Sequence, residues 1–218
     1  MKTALIGHGY WGEKLYGYLR KNKFFDLKYI CDSKTNLDEI LPKVKAVVVA
    51  TPISTHYQVV KKALEHNCHV FCEKPLTKKT KECLELKELA EKKNKVLCVD
   101  FTWTFSPTIR RLEHILINEL KITLKRVRRD GVKENVEWIL FPHVLSIAMM
   151  LKPLTISYDY GYGKRQTELE VNNRTVLLDH EKNNLEYAVE YFADVIKGEQ
   201  ETNIDIAIKI TQMIENNE

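Results

Sequence analysis

The stretch Thr3-Ala-Leu-Ile-Gly-His-Gly-Tyr-Trp-Gly12 decides how this chain is read. A short apolar run, Ala4-Leu5-Ile6, gives way to Gly7, Gly9 and Gly12 in G-x-G-x-x-G order, and Trp11, Leu15, Tyr18 and Leu19 follow at helical spacing. The pattern predicts strand, tight turn, helix. In a dinucleotide-binding turn Gly7 permits the turn, Gly9 lets backbone approach a pyrophosphate, and Gly12 lets the helix pack on its strand. Asp32 ends a second strand-like run, Leu27-Lys-Tyr-Ile-Cys31, 20 residues beyond Gly12. That is where such a fold places the acid that bonds the adenosine ribose hydroxyls. The plainer alternative is an ordinary strand-to-helix turn with Asp32 capping a loop; order, position and spacing together favour the cofactor.

The pattern continues outward from this turn. Segment 33–45 is polar and predicts one or two helical turns around Leu37-Asp-Glu-Ile-Leu41, stopped by Pro42. Ala46-Val-Val-Val-Ala50 reads as a strand buried on both faces and ends in Thr51-Pro52. Ser54 or Thr55 caps the next helix, with Val59, Val60, Ala63 and Leu64 inward. His69-Val-Phe-Cys72 and Val96-Leu-Cys-Val99 are further strands around a helix of 78–93, capped by Thr77. Strand alternating with helix across 1–105 predicts an α/β fold, a Rossmann doubly wound parallel sheet.

From Ser106-Pro107 the pattern changes. A helix of about 107–119, a basic strand Lys121 to Arg128 and an apolar helix of about 138–151 lead to three strand-like runs over 156–178. Two closing helices have core faces Leu185, Ala188, Val189, Phe192, Ile196 and Ala207, Ile210, Met213, Ile214. Residues 106–218 are therefore expected to form a small α+β domain with a mostly antiparallel sheet, a reduced substrate and oligomerisation unit. Tyr158, Tyr160 and Tyr162 alternate and share one sheet face, which is assigned to packing against a second subunit, making a homodimer or higher homo-oligomer.

Bulk composition narrows the classes. A net charge of +4 from 34 basic and 30 acidic residues argues for neither nucleic acid nor membrane as a partner. No metal-binding spacing is seen. Five cysteines without C-x-x-C spacing read as buried free thiols in a reducing cytoplasm. No apolar run reaches membrane-spanning length.

Three ordered motifs, Gly7-His-Gly-Tyr-Trp-Gly12, Ala50-Thr-Pro-Ile-Ser-Thr-His56 and Glu73-Lys74-Pro75, resemble the Gfo/Idh/MocA oxidoreductase family. Val99 to Pro107 and Trp138 to Ser146 are similar to later family segments, particularly those of nucleotide-sugar dehydrogenases. The resemblance implies hydride transfer between NAD(H) or NADP(H) and a hydroxyl or keto group of a sugar or nucleotide-sugar. It implies Lys74 and His143 as the catalytic pair. Gly7, Gly9, Tyr10, Trp11, Gly12, Asp32, Ser33, Thr51, Pro52, His56 and Glu73 then line or shape the cofactor cleft. Asp32 favours NAD(H), because its charge repels a 2′-phosphate, with NADP(H) left open by Lys34. Where family members commonly carry an acid four residues before the histidine, this chain has Ile139, and Val144 follows the histidine. The competing reading is a dinucleotide-binding relative that has lost its chemistry; a third is a reductase of another small carbonyl or imine.

Overall fold

The computed structural model describes residues 1–126, 135–164, 166–178 and 181–217. The first half alternates strand and helix: β1 Lys2–Ile6, α1 Tyr10–Lys21, β2 Asp26–Cys31, α2 Leu37–Ile40 and β3 Ala46–Val49. It continues through α3 Ile53–Glu65, β4 His69–Glu73, α4 Thr80–Lys92 and β5 Leu97–Asp100. The strands form one sheet in the order β2-β1-β3-β4-β5, and every pairing is parallel. The chain reverses its winding between β1 and β3, so a crevice opens at their carboxyl ends, where open α/β sheets bind ligands.

Two apolar layers follow from strand alternation. Ala4, Ile6, Val47 and Val49 face α3 and α4, which seat Val60, Ala63, Leu64, Cys83, Leu86 and Ala90. Leu5, Ala46, Val48 and Phe71 face the other way, onto Leu15 and Leu19 of α1. All five cysteines are free and buried, as the spacing predicts.

After a 3-10 turn at Thr102–Phe105, the second half runs α5 Pro107–Leu112, β6 Glu119–Arg126, α6 Val136–Ile139, α7 Phe141–Leu151 and β7 Thr155–Tyr162. Then come β8 Gln166–Val171, β9 Arg174–Val176, α8 Glu181–Lys197 and α9 Ile204–Glu215. The second sheet has the order β7-β6-β8-β9; β6 pairs β7 in parallel, and its other two pairings are antiparallel. Helices α8 and α9 return to the first sheet. Leu185, Ala188, Val189 and Phe192 join the layer under α1, and Ala207, Ile210 and Ile214 join the layer with α4.

Several local expectations are corrected. The helix expected over 107–119 stops at Leu112, and the N–H groups of Asn118 and Glu119, which a helix would turn back on itself, donate instead to Asn172 Oδ1. The helix expected over 138–151 is broken at Leu140: Pro142 has no N–H to give and crowds the carbonyl four residues back. Thr77 does not cap α4; its hydroxyl bonds the backbone of Lys79, which is itself the capping residue. Neither Ser54 nor Thr55 caps α3, which begins after Pro52, and the Thr55 hydroxyl donates back to the Pro52 carbonyl. Met213 lies 43% exposed, since Ile210, Thr211 and Ile214 already fill that seam.

The tyrosine stripe lies on one face of β7, as alternation predicts. Register pairs Tyr158 with Ile122 and Tyr160 with Leu124, both buried core residues, so the stripe shares their sheet face, while Tyr158 and Tyr162 remain 48% and 36% exposed. Phe141 of α7 stacks on Tyr160 at 4.9 Å and 12°. The outer face carries the basic residues instead, with Lys121 paired to Glu170 at 3.0 Å and Lys125 paired to Asp159. Arg128 and Arg129 lie outside the described residues.

Candidate functional site at the carboxyl ends of the first sheet

The crevice between β1 and β3 is floored by glycine for steric reasons. Gly7 has φ +94°, and a Cβ there would lie 2.6 Å from the Ala50 carbonyl oxygen. A Cβ on Gly12 would lie 2.1 Å from the Gly7 oxygen. Gly9 is different: it precedes α1 at φ −82°, and a Cβ would meet nothing within 4 Å. The protein's own packing asks for glycine at Gly7 and Gly12 but not at Gly9. The open space over Gly9 lies at the start of α1, where helix N–H groups have no partner within the helix.

Tyr10 and Trp11 form the first turn of α1, their rings edge-on at 5.2 Å with the Lys14 ammonium over both. At the end of β2, Gly7 N–H donates to the Cys31 carbonyl at 2.8 Å, which sets the glycine turn beside Asp32. Asp32 is exposed; its Oδ1 accepts from Thr35 Oγ1 and Lys34 N–H, each at 2.9 Å. The Thr35 hydroxyl, then the Lys34 amide, hold its carboxyl below the usual range. Asp32 thus caps its own loop at the carboxyl end of β2. Ser33 is exposed in that loop.

The next two strand ends carry the remaining residues. Thr51 and Pro52 form the turn after β3, and His56 lies one turn into α3, 1% exposed. Its Nδ1 lies 2.9 Å from the Pro75 carbonyl oxygen and its Nε2 2.8 Å from the Thr51 carbonyl oxygen. Glu73, 6% exposed, ends β4 in register with Asp100, fully buried at the end of β5. Asp100 was not singled out by sequence; an acid closing a run as apolar as Val96 to Val99 was the available signal. Asp100 Oδ1 accepts from the Thr102 hydroxyl at 3.1 Å.

Lys74 follows, half-buried, joined to Pro75 by a cis peptide bond. Its ammonium donates to the Ile139 carbonyl at 2.7 Å. That carbonyl is available because the helix breaks there: His143 N–H bonds the Leu140 carbonyl instead, at 3.0 Å. Position 139 therefore lacks a carboxylate yet serves the lysine through its main chain. His143 is brought to the same segment but is 5% exposed within α7. Among the described residues no group of His, Cys, Asp and Glu is arranged to hold a metal ion.

Comparison with known proteins agrees with this geometry. Residues 23–101 match the model of the Gfo/Idh/MocA oxidoreductase family, described as an NAD-binding Rossmann fold. An uncharacterized oxidoreductase of Synechocystis sp. is 35% identical over 107 residues, 48% of this chain and 28% of that protein. D-glucoside 3-dehydrogenase of Escherichia coli is 29% identical over 158 residues, 61% of this chain and 45% of that protein. The chain thus spans less than half the length of these curated relatives. UDP-N-acetylglucosamine 3-dehydrogenase from Acidithiobacillus ferrooxidans shares the fold at a TM-score of 0.85 and 17% identity, covering 99% of this chain and 96% of that one. Glycine turn, switch-point crevice and motif order accord with the matched family model, and residues 23–101 match the NAD-binding Rossmann fold of the Gfo/Idh/MocA oxidoreductase family.

Proposed function

We propose that the protein is an oxidoreductase that moves hydride between NAD(H) and a hydroxyl or keto group of a sugar or nucleotide-sugar. Residues 1–105 hold the cofactor and 106–218 complete the substrate site. The observation that carries the reading is Lys74, whose ammonium is held at 2.7 Å by the Ile139 carbonyl at the mouth of the crevice. Bound nicotinamide supplies the hydride chemistry. The Lys74 ammonium would hold the alkoxide that develops as the carbonyl forms, or, once it has given a proton to solvent, its neutral amine would take the hydroxyl proton. Lys74→Ala is expected to abolish turnover across a sugar panel while NADH affinity, read by calorimetry, stays within about threefold. Unchanged turnover would remove Lys74 from the chemistry.

Asp32 supports NAD(H) over NADP(H), since its charge opposes a 2′-phosphate. Asp32→Ala is expected to shift the ratio of NADH to NADPH affinity toward NADPH by about tenfold, the weight of one charge-assisted contact; an unaltered ratio sinks the assignment. The burial of His143, together with Ile139, favours a second reading, a dinucleotide-binding relative without turnover. Reduction of NAD⁺ by any one sugar of the panel would end it. The five free, buried thiols support a reducing, cytoplasmic setting.

A further inference from the structure

Among the described residues, cavities lie between α1 and α8, around α5 and α8, between α3 and α4, and beside Phe101 and Thr104 after β5, and all are lined by mixed side chains. The feature that carries more is His56. Its ring is sealed from solvent and touches two turns that are remote in sequence: Thr51 after β3 and Pro75, next to Lys74, after β4. Both neighbours are carbonyl oxygens, which only accept. A neutral imidazole has one N–H and donates to one of them, leaving its other nitrogen's lone pair against an oxygen. The cation donates to both. No other side chain presents two donors pointing opposite ways across a rigid ring; a carboxamide has both hydrogens on one nitrogen.

We propose that His56 is a positioning residue, a clasp that holds the turn after β3 to the turn after β4. It sets Thr51-Pro52 and Lys74 at the spacing a dinucleotide requires, and it closes fully only when both ring nitrogens carry protons. The proposal rests on the dinucleotide reading above. The surroundings act on the ring in opposite senses. Burial, the largest influence, and the Lys74 charge from the turn after β4 press it toward the neutral form, while the Pro75, Thr51 and Leu76 backbone groups press it toward the cation. The net is a value below that of an ordinary histidine. At neutral pH one turn is gripped and the other is met by a lone pair; as pH falls both are gripped.

The test uses the full chain in a His8→Asn background, because His8 is the imidazole within the glycine turn, paired with Glu13 at 2.8 Å. Histidine ring-nitrogen spectra are recorded from pH 7.5 downward, and NAD⁺ affinity is measured by calorimetry at pH 7.5 and 5.5, with and without His56→Gln. Expected are a second ring N–H on His56 as pH falls, and NAD⁺ binding that tightens several-fold at pH 5.5. His56→Gln should lose that pH dependence and bind about tenfold more weakly at pH 5.5, the weight of one lost hydrogen bond. Equal affinities in the two proteins at both pH values overturn the proposal, as does a single ring N–H throughout the titration. Should neither protein bind NAD⁺, the dinucleotide reading fails, and the ring spectrum alone decides the clasp. The spectrum also decides if His56→Gln does not fold.

Discussion

Gly9 and Gly12 look equivalent in the motif, yet the structure gives them opposite reasons to lack a side chain. A methyl at position 12 collides with the Gly7 carbonyl at 2.1 Å, whereas at position 9 it enters open space. Gly12→Ala is therefore expected to lower the melting temperature by several degrees and to weaken NADH binding. Gly9→Ala should melt with the parent protein yet bind NADH about tenfold more weakly or worse, as the methyl occupies the place of a phosphate. Melting curves and calorimetry on the pair read both effects; a Gly9→Ala protein with full affinity would remove the pyrophosphate from that turn. Asp32 likewise needed coordinates, because its spacing is satisfied equally by the loop cap it makes with Thr35 and by a ribose contact. Lys74 was legible from its motif. Its anchor was not, because the partner is a main-chain carbonyl that exists only where Pro142 has broken a helix.

Strand β4 shows how one element couples packing to pH. Its first residue, His69, accepts the Val96 N–H on Nδ1 at 3.1 Å, which requires the neutral ring. Burial, with the nearby Lys95 charge, pushes its pKa down to about 4. The unfolded chain takes up this proton near the ordinary value of about 6.5, so stability is full above that pH and falls as pH drops toward 4. Melting temperature should decline over that window, and His69→Asn, which keeps an acceptor but does not titrate, should decline less. Identical slopes would show that other groups govern the acid limb. Element types were readable wherever periodicity met burial, as in Ala46–Val49, buried along its whole length. They misled where a neighbour claimed the backbone: the segment after α5 gives its Asn118 and Glu119 N–H groups to Asn172 Oδ1, a partner 54 residues from Asn118 that no local window contains.

At the scale of the molecule, the closing helices complete the first sheet. Phe192 of α8 lies fully buried, 5.3 Å from Phe25 and 5.4 Å from Phe71, and caps the face that α1 leaves open. Phe192→Ala is expected to cost about 3–5 kcal/mol, measured by urea unfolding, from lost transfer energy plus the cavity left behind. A cost below about 1 kcal/mol would mean that α8 is dispensable to the sheet. The first sheet thus depends on residues more than eighty positions beyond its last strand, so its core and its sequence segment do not coincide. The sequence by itself determined the alternation of strand and helix, the glycine turn and the order of the three motifs, because these rest on period, backbone freedom and spacing along the chain. Tertiary structure alone decided what the tyrosine stripe packs against, what holds Lys74, how His56 joins two turns, and that His143 is buried. Each of these depends on which distant backbone atoms arrive within hydrogen-bonding or van der Waals reach, and a linear pattern carries no information about that approach.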